Sequence, residues 1–205
     1  MFSTAQSRVH HTNQGNYGDN MKKVACFNDL ISFATAWKNM PHSHMAKLFY
    51  DHQTGSVPFW KKGEESEIRI NALSLFMANV KPEWEDEVNK QGGEFRISFF
   101  ASLPTLQKLW ERAVFDIVSR NFAEIDLLAG VRFLDKSTDR RPCNFRIEVW
   151  TKFNSEESEM GRTLKAYLVE NFCKVISADG AELGYSVIGD KKDALQGCEF
   201  TQHNK

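Results

Sequence analysis

The chain has few cysteines, no long apolar run and no excess of charge. Its four cysteines, Cys26, Cys143, Cys173 and Cys198, are scattered, which argues against a zinc site or a disulfide framework and for reduced thiols. No apolar run approaches the ~20 residues that a membrane helix needs, and no apolar signal core stands near the first residue. We therefore expect no membrane contact and a cytoplasmic or nucleocytoplasmic protein.

The chain also lacks an excess of positive charge, because its 26 Lys and Arg residues are balanced by 27 Asp and Glu residues, for a formal net charge of −1. Any contact with nucleic acid must therefore be local rather than a general attraction to a duplex. What the chain does have is aromatic residues, with 16 Phe and 5 Trp among 205 residues. This composition predicts one globular domain with a sizeable core.

The pattern along the chain predicts an α+β fold in a single domain. Residues 1–22 are polar and without periodicity, so we expect a disordered arm, followed by a domain at 23–189 and a flexible tail at 190–205. We predict a curved, antiparallel-rich sheet with three main helices on its convex face. Strands are predicted at 26–33, 45–50, 94–100, 130–135, 145–153 and 183–188, and helices at 56–66, 104–121 and 156–171.

The most informative segment is KPEWEDEVNKQGGEF, residues 81–95, in which Trp84 is followed at once by Glu85 in a polar turn. An exposed indole beside a carboxylate suits a flat, electron-poor ring whose edge offers two N–H donors, such as methylated guanine. The alternative is a solvated turn with a half-buried indole. In the strand at 145–153, Trp150 alternates onto the polar side with Arg146, which adds a second indole on a polar surface.

These segments resemble the eukaryotic translation initiation factor 4E family. The match runs from SLF at 74–76 through the tryptophan to the double glycine, with weaker matches in LW at 109–110, RIEVW at 146–150 and MGRTLKAYL at 160–168. It covers about residues 27–188 and looks like a divergent, trypanosomatid-like member. The resemblance implies binding of the 7-methylguanosine 5′ cap of messenger RNA without catalysis, cofactor or metal.

The same resemblance implies roles for individual residues. Trp37 and Trp84 would stack on the guanine, with Trp60 as the rival for the first position. Glu85 would read the guanine edge and Trp150 would contact the methyl group. The phosphates would be held by Lys136, Arg140, Arg141 and Arg146.

On the convex side the resemblance implies a surface for a scaffold initiation factor of the 4G type or a 4E-binding protein. Its residues would be Val57, Trp60, Glu111, Arg112 and Phe115. Two departures weaken the match, since Glu94 and Arg112 each reverse the charge that the family usually has. They motivate the alternative of a weak or non-binding paralogue that acts as an adaptor or translational repressor. A nucleotide-hydrolysing enzyme, suggested only by the acids at 85–87, lacks any nucleophile or metal motif.

Overall fold

The computed structural model describes residues 2–8, 21–39, 49, 68–137, 144–182 and 198–203. Its strands are β1 (Phe2–Arg8), β2 (Met21–Ala25), β3 (Ile68–Phe76), β4 (Gly93–Phe100), β5 (Leu128–Asp135), β6 (Asn144–Thr151) and β7 (Cys198–Gln202). They form one sheet in the order β2-β1-β3-β5-β6-β4-β7, in which all neighbours are antiparallel. Side chains therefore alternate between two faces of this sheet.

The helices of the described residues are α1 (Leu30–Asn39), α2 (Leu103–Val118), α3 (Glu159–Leu168) and α4 (Lys174–Glu182), and a π-helical turn at Val169–Cys173 joins the last two. The side-chain oxygens of Ser102 and Ser158 accept the backbone N–H groups of Thr105 and Gly161, which caps α2 and α3. Pro104 lies in the first turn of α2, where no backbone donor is needed. None of these helices is long and apolar enough to cross a membrane.

One face of the sheet, which we call the helix face, carries the main core. Phe95 of β4 and Val149 of β6 point to it and are fully buried among residues of α2 and α3. Trp110 of α2 meets Phe133 of β5 edge-on, with ring centroids 5.2 Å apart. Each such buried apolar side chain contributes about 1.5–3 kcal/mol to folding, so this face holds the helices to the sheet.

The opposite face, which we call the open face, is more polar. It has a small apolar cluster in which Phe76 and Trp150 meet edge-on, with centroids 5.5 Å apart. Gly130 lies directly against Phe76, and a Cβ atom there would stand 2.4 Å from that ring. Alternation along β4, β5 and β6 also places charged and polar residues on this face, namely Glu94, Arg96, Ser98, Arg132, Arg146 and Glu148.

The predicted fold class is confirmed, since an antiparallel sheet carries helices on one face. The strands predicted at 94–100, 130–135 and 145–153 correspond to β4, β5 and β6, and the helices predicted at 104–121 and 156–171 correspond to α2 and α3. Predictions at 45–50 (apart from the buried Phe49), 56–66 and 183–188 lie outside the described residues.

The strand predicted at 26–33 is wrong, because Leu30–Asn39 forms helix α1. The Asp29 carboxylate accepts the backbone N–H of Ser32 at 2.8 Å and caps the helix start. Phe33 and Trp37 are four residues apart and so lie on one side of the helix, with centroids 5.7 Å apart. A short apolar run fits the repeat of a helix as well as the alternation of a strand, and packing against α2 selects the helix.

The predicted disorder at both ends is wrong where the structure describes them. Residues 2–8 form β1, which pairs with both β2 and β3, and residues 198–202 form β7, which pairs with β4. Polar side chains do not prevent a strand whose backbone groups are all offered partners by its neighbours. Composition alone therefore misjudged these segments.

Candidate binding site on the open face

The loop between β3 and β4, residues 77–92, is organised by its own polar side chains. The carboxylate of Asp86 accepts two backbone N–H groups of the loop, both at 3.0 Å. The buried side-chain amide of Asn89 donates to two loop carbonyls at 2.7 and 2.8 Å. These bonds span both sides of Trp84, so the loop presents the indole in one defined position.

Trp84 is 51% exposed, and the ring of His203 covers one of its faces. The two rings are stacked, with centroids 6.2 Å apart and an interplanar angle of 22°. The same imidazole lies 4.5 Å from the ring of Trp150, which is only 1% exposed. Trp84, His203 and Trp150 therefore form a continuous ring series, and Glu85 stands exposed at its outer end.

Glu94 is almost fully buried beside this ring series. Arg96 donates to its Oε1 atom through Nε and Nη2, and Nε2 of His203 lies 3.8 Å from its Oε2 atom. Burial raises the pKa of the Glu94 carboxyl, but the interactions with His203 and Arg96 outweigh it, so the pKa lies below the ordinary 4.5. The negative charge that the sequence placed near the phosphates is thus compensated within the protein.

Glu148 connects the buried indole to two guanidinium groups. Arg132 donates to its Oε2 atom from Nε at 2.8 Å and from Nη2 at 2.5 Å, and Trp150 Nε1 donates to the same atom at 3.3 Å. Nη1 of Arg146 lies 3.7 Å from the other oxygen. The guanidinium carbon of Arg132 also stands 5.1 Å from the centre of the Trp150 ring. This network fixes the orientation of the indole.

Positive charge gathers where β5 ends and β6 begins. Burial lowers the pKa of the Lys136 ammonium, and the charges of Arg146, Arg132 and Arg96 act in the same direction against Glu148. The Arg146 side chain remains 32% exposed and can reach a ligand. An anionic group bound here would meet several cations at once.

The structure does not bring Trp37 to Trp84. Trp37 lies in α1, where its ring contacts Phe33 and Phe115, the latter with centroids 5.1 Å apart, and it packs against the core of the helix face. Trp84 belongs to the ring series on the open face. The predicted pairing of these two indoles is therefore contradicted, because the sheet separates them.

The helix face carries part of the predicted partner surface. Phe115 of α2 is 47% exposed beside Trp37. Arg112 donates to Asp116 in the next turn, and hydrogen bonding to Asp116 raises the pKa of its guanidinium. Glu111 lies on the same helix and accepts a hydrogen bond from Gln107. Four further predicted site residues lie outside the described ranges, namely Val57, Trp60, Arg140 and Arg141.

Sequence reasoning missed His203, Arg132 and Glu148. For His203 a signal existed, because residues 198–201 (CEFT) just before it alternate apolar and polar in the manner of a half-buried strand. For the Arg132–Glu148 pair no local signal existed. The two residues meet only because β5 and β6 are neighbours in that register.

The fold and the site define a class of protein: a single α+β domain whose open face offers an exposed indole, an adjacent carboxylate and a group of cations. The described residues contain no cluster of His, Cys, Asp or Glu that could hold a metal ion. The chain belongs to the eukaryotic initiation factor 4E family, whose sequence model matches residues 1–196.

Individual relatives agree with this membership. The chain is 32% identical over 97 residues to eukaryotic translation initiation factor 4E of Eremothecium gossypii, which covers 46% of this chain and 44% of the relative. It is 34% identical over 107 residues to factor 4E1 of Drosophila melanogaster, covering 49% and 39%. These alignments thus span less than half the length of either relative.

Solved structures share the fold at low sequence identity. C. elegans eIF4E-3, in a complex with the 4E-binding protein Mextli, aligns with a TM-score of 0.59 and 17% identity over 98% of this chain and 90% of that one. Ascaris suum eIF4E-3 in complex with the m7G cap aligns with a TM-score of 0.52 and 20% identity, over 81% of each chain. At these identities the likeness is one of fold.

Proposed function

We propose that this chain binds the 7-methylguanosine 5′ cap of messenger RNA, without catalysis, and recruits a scaffold protein for translation initiation. The observation that carries the proposal is the half-exposed indole of Trp84, held by its hydrogen-bonded loop on the same face as Trp150 and the cations Lys136 and Arg146. Support comes from the family itself and from the m7G cap in the Ascaris suum structure of the same fold.

The base is recognised by stacking and by its edge. Methylation at N7 makes guanine a flat cation, so stacking on Trp84 gains a cation–π contribution in addition to the roughly 1–3 kcal/mol typical of a stacked base. Glu85 accepts hydrogen bonds from N1–H and the exocyclic amine, which favours guanine over adenine. Trp150, two residues along β6 from Glu148, contacts the methyl group.

The second stacking ring of the site comes from residues other than Trp37, which lies on the helix face. The stretches of the chain outside the described residues contain further aromatic residues that could supply it. These are Tyr17, Tyr50, Phe59, Trp60 and Tyr185. Alanine substitution of each in turn identifies the ring, since only the stacking residue lowers affinity for the methylated nucleotide while leaving the free energy of unfolding unchanged.

The phosphates lie against Lys136 and Arg146, with Arg96 as an additional cation. Arg96 pairs with Glu94, but 27% of its side chain is exposed. The register of β4 against β6 places Arg96 opposite Glu148 and Arg146 opposite Ser98. The two guanidinium groups therefore belong to adjacent cross-strand pairs on the open face. Because Glu94 and Glu148 compensate part of this positive charge, we expect the phosphates to add less affinity than the base.

A partner protein binds at the helix face, where an apolar surface is left uncovered. Phe115 and Trp37 adjoin one another there, and Leu30 and Ile31 of α1 are 69% and 81% exposed. Such a surface suits the apolar residues of a Tyr-x-x-x-x-Leu-Φ motif. The complex of C. elegans eIF4E-3 with a 4E-binding protein supports this part of the proposal.

The test is a titration of intrinsic tryptophan fluorescence with 7-methylguanosine triphosphate and with unmethylated guanosine triphosphate. Trp84→Ala should abolish binding of the methylated nucleotide. Trp37→Ala is the matched control and should retain it, because Trp37 lies on the helix face. Binding that survives in Trp84→Ala and disappears in Trp37→Ala contradicts the proposed site.

A second function is favoured by the compensated charges. If the cations on the open face are too strongly engaged by Glu94 and Glu148 to hold phosphates, the chain acts as an adaptor or translational repressor through its helix face. No fluorescence response to either nucleotide, together with binding of a Tyr-x-x-x-x-Leu-Φ peptide, supports this alternative.

A further inference from the structure

His203 occupies a space that the proposed ligand needs. The imidazole is stacked on Trp84 and lies 4.5 Å from Trp150. A purine that stacks on this face of Trp84 and reaches Trp150 with its methyl group must pass through the position of that imidazole. The side chain of His203 is 1% exposed, so the ring is a built-in part of the site.

Both nitrogens of this imidazole face acceptors. Nδ1 lies 2.8 Å from the backbone carbonyl oxygen of Asn89, and Nε2 lies 3.8 Å from Oε2 of Glu94. Nδ1 lies within hydrogen-bond distance of its acceptor, whereas Nε2 of His203 and Oε2 of Glu94 are buried and have no hydrogen-bond partner among the described residues. One hydrogen bond and the two ring contacts therefore hold the imidazole in the site.

The imidazole of His203 shares features with the proposed ligand. It is a flat nitrogen heterocycle stacked on an indole, and one of its edge nitrogens lies on the side of a carboxylate, Glu94 of β4. Arg96 compensates the charge of that carboxylate. The ring of His203 thus fills the position beside Trp84 that a stacked base takes.

We propose that His203 is an internal competitor of the cap, a ring that fills the base position and leaves when the methylated guanine binds. This inference rests on the proposed function and adds to it a residue that sets affinity. Displacement is local, because β7 is an edge strand that pairs only with β4 among the described strands, and His203 is the residue directly after it.

The experiment compares the 205-residue wild type with His203→Ala, using 7-methylguanosine triphosphate and tryptophan fluorescence. His203→Ala should bind about tenfold more tightly, the order expected for removal of one competing stacked ring. Both proteins are titrated at the same pH, so ionisation of the nucleotide cancels in the ratio of the two dissociation constants.

Two further variants separate competition from damage to the strand. His203→Phe keeps a flat ring at this position, so it should bind the nucleotide more weakly than His203→Ala does. Gln202→Ala changes the adjacent residue, whose side chain donates to the carbonyl of Asn154, and should match the wild type. Equal thermal unfolding temperatures establish that each variant is folded.

The outcomes are distinct. If wild type binds and folded His203→Ala binds equally or more weakly, His203 supports Trp84 rather than competing, and the inference is overturned while the proposed function stands. If neither protein binds the methylated nucleotide, the proposed function fails, and His203 is then a structural residue. Tighter binding by folded His203→Ala than by wild type and His203→Phe supports both.

Discussion

At the scale of the residue, Trp84 and Trp150 show how one side-chain type serves two purposes on one face. The Trp150 ring is packed against Phe76, and its Nε1 atom donates to Glu148, so it is part of the structure. The Trp84 ring keeps about half of its surface in water because its loop is held by Asp86 and Asn89 rather than by burial of the indole. An apolar ring maintained in water by polar bonds is typical of a binding residue.

The two indoles should therefore differ in their effect on stability. Trp150→Ala should lower the free energy of unfolding by about 3–5 kcal/mol, as expected for a fully buried aromatic residue. Trp84→Ala should lower it by about 1 kcal/mol, mainly through lost stacking on His203. Urea unfolding followed by circular dichroism measures both, and equal losses would contradict the distinction.

Glu94 should make stability depend on pH in the acid range. Its pKa is lower in the folded protein than the ordinary 4.5, so its contribution is fully present above pH 4.5 and is lost as the pH falls through the folded-state value. Glu94→Gln should therefore reduce the free energy of unfolding at pH 7, by about 3 kcal/mol if Arg96 is left uncompensated. The difference from wild type should shrink below pH 4.5 in urea titrations, and a difference that grows on acidification would reverse the assigned sign.

Among the secondary-structure elements, β4 lies between β6 and β7, and at the start of β4 the neighbouring strands leave almost no space for a side chain. A Cβ atom at Gly92 would stand 1.9 Å from the carbonyl oxygen of Thr151, and one at Gly93 would stand 2.3 Å from the ring of Phe200. The double glycine is thus required by the close approach of neighbouring backbones. The same approach brings His203 N within 3.1 Å of the Gly92 carbonyl oxygen and places the imidazole in the site.

Gly92→Ala should consequently lower the free energy of unfolding by at least about 1–3 kcal/mol, the usual cost of overpacking. Gln91→Ala is the control, since Gln91 is exposed and its replacement should stay within about 0.5 kcal/mol of wild type. Both are measured by chemical denaturation. A Gly92→Ala protein as stable as the control would show that the two strands are further apart than described.

The attachment of β7 can be followed through its cysteine. Burial raises the pKa of the Cys173 thiol to about 11 and that of Cys198 to about 12, whereas Cys26 is exposed. At pH 8 a thiol reagent should therefore modify Cys26 within minutes and reach Cys198 only when β7 detaches. Peptide mass spectrometry after timed labelling identifies the sites, and rapid labelling of Cys198 would mean that β7 is not stably paired.

At the scale of the whole molecule, the sheet divides the protein into two surfaces with different tasks. The open face carries the ring series and the cations, and the helix face carries Phe115 beside Trp37. The core of the helix face lies between them and is filled by large buried residues such as Trp110 and Phe133. The sheet and this core separate the two surfaces, so changes on them should add independently.

Phe115→Ala should weaken binding of a Tyr-x-x-x-x-Leu-Φ peptide at least tenfold, because it removes an exposed apolar contact of roughly 1–2 kcal/mol or more. Its affinity for 7-methylguanosine triphosphate should remain that of wild type. Trp84→Ala should show the opposite pair of results. Isothermal titration calorimetry with both ligands measures the four values, and loss of both activities in either variant would indicate coupling or misfolding.

Local chemistry explains which parts of the site could be predicted from the sequence. The polar turn around Trp84, the alternation that puts Trp150 and Arg146 on one side of β6, and the periodicity of α2 all depend on residues close together in the chain. The strand wrongly predicted at 26–33 failed because a short apolar run fits helix and strand alike. The pairing of Trp37 with Trp84 failed for a related reason, since a helix in place of a loop put Trp37 on the other face.

The exposed indole with its neighbouring acid, the fold class and the family all follow from residues that lie close together in the sequence. The groups that surround that indole become visible only in the folded chain. Nδ1 of His203 meets a carbonyl oxygen 114 positions earlier in the chain, and the Arg132–Glu148 pair depends on the register of β5 against β6. Such contacts follow from strand order and register, which no local pattern encodes.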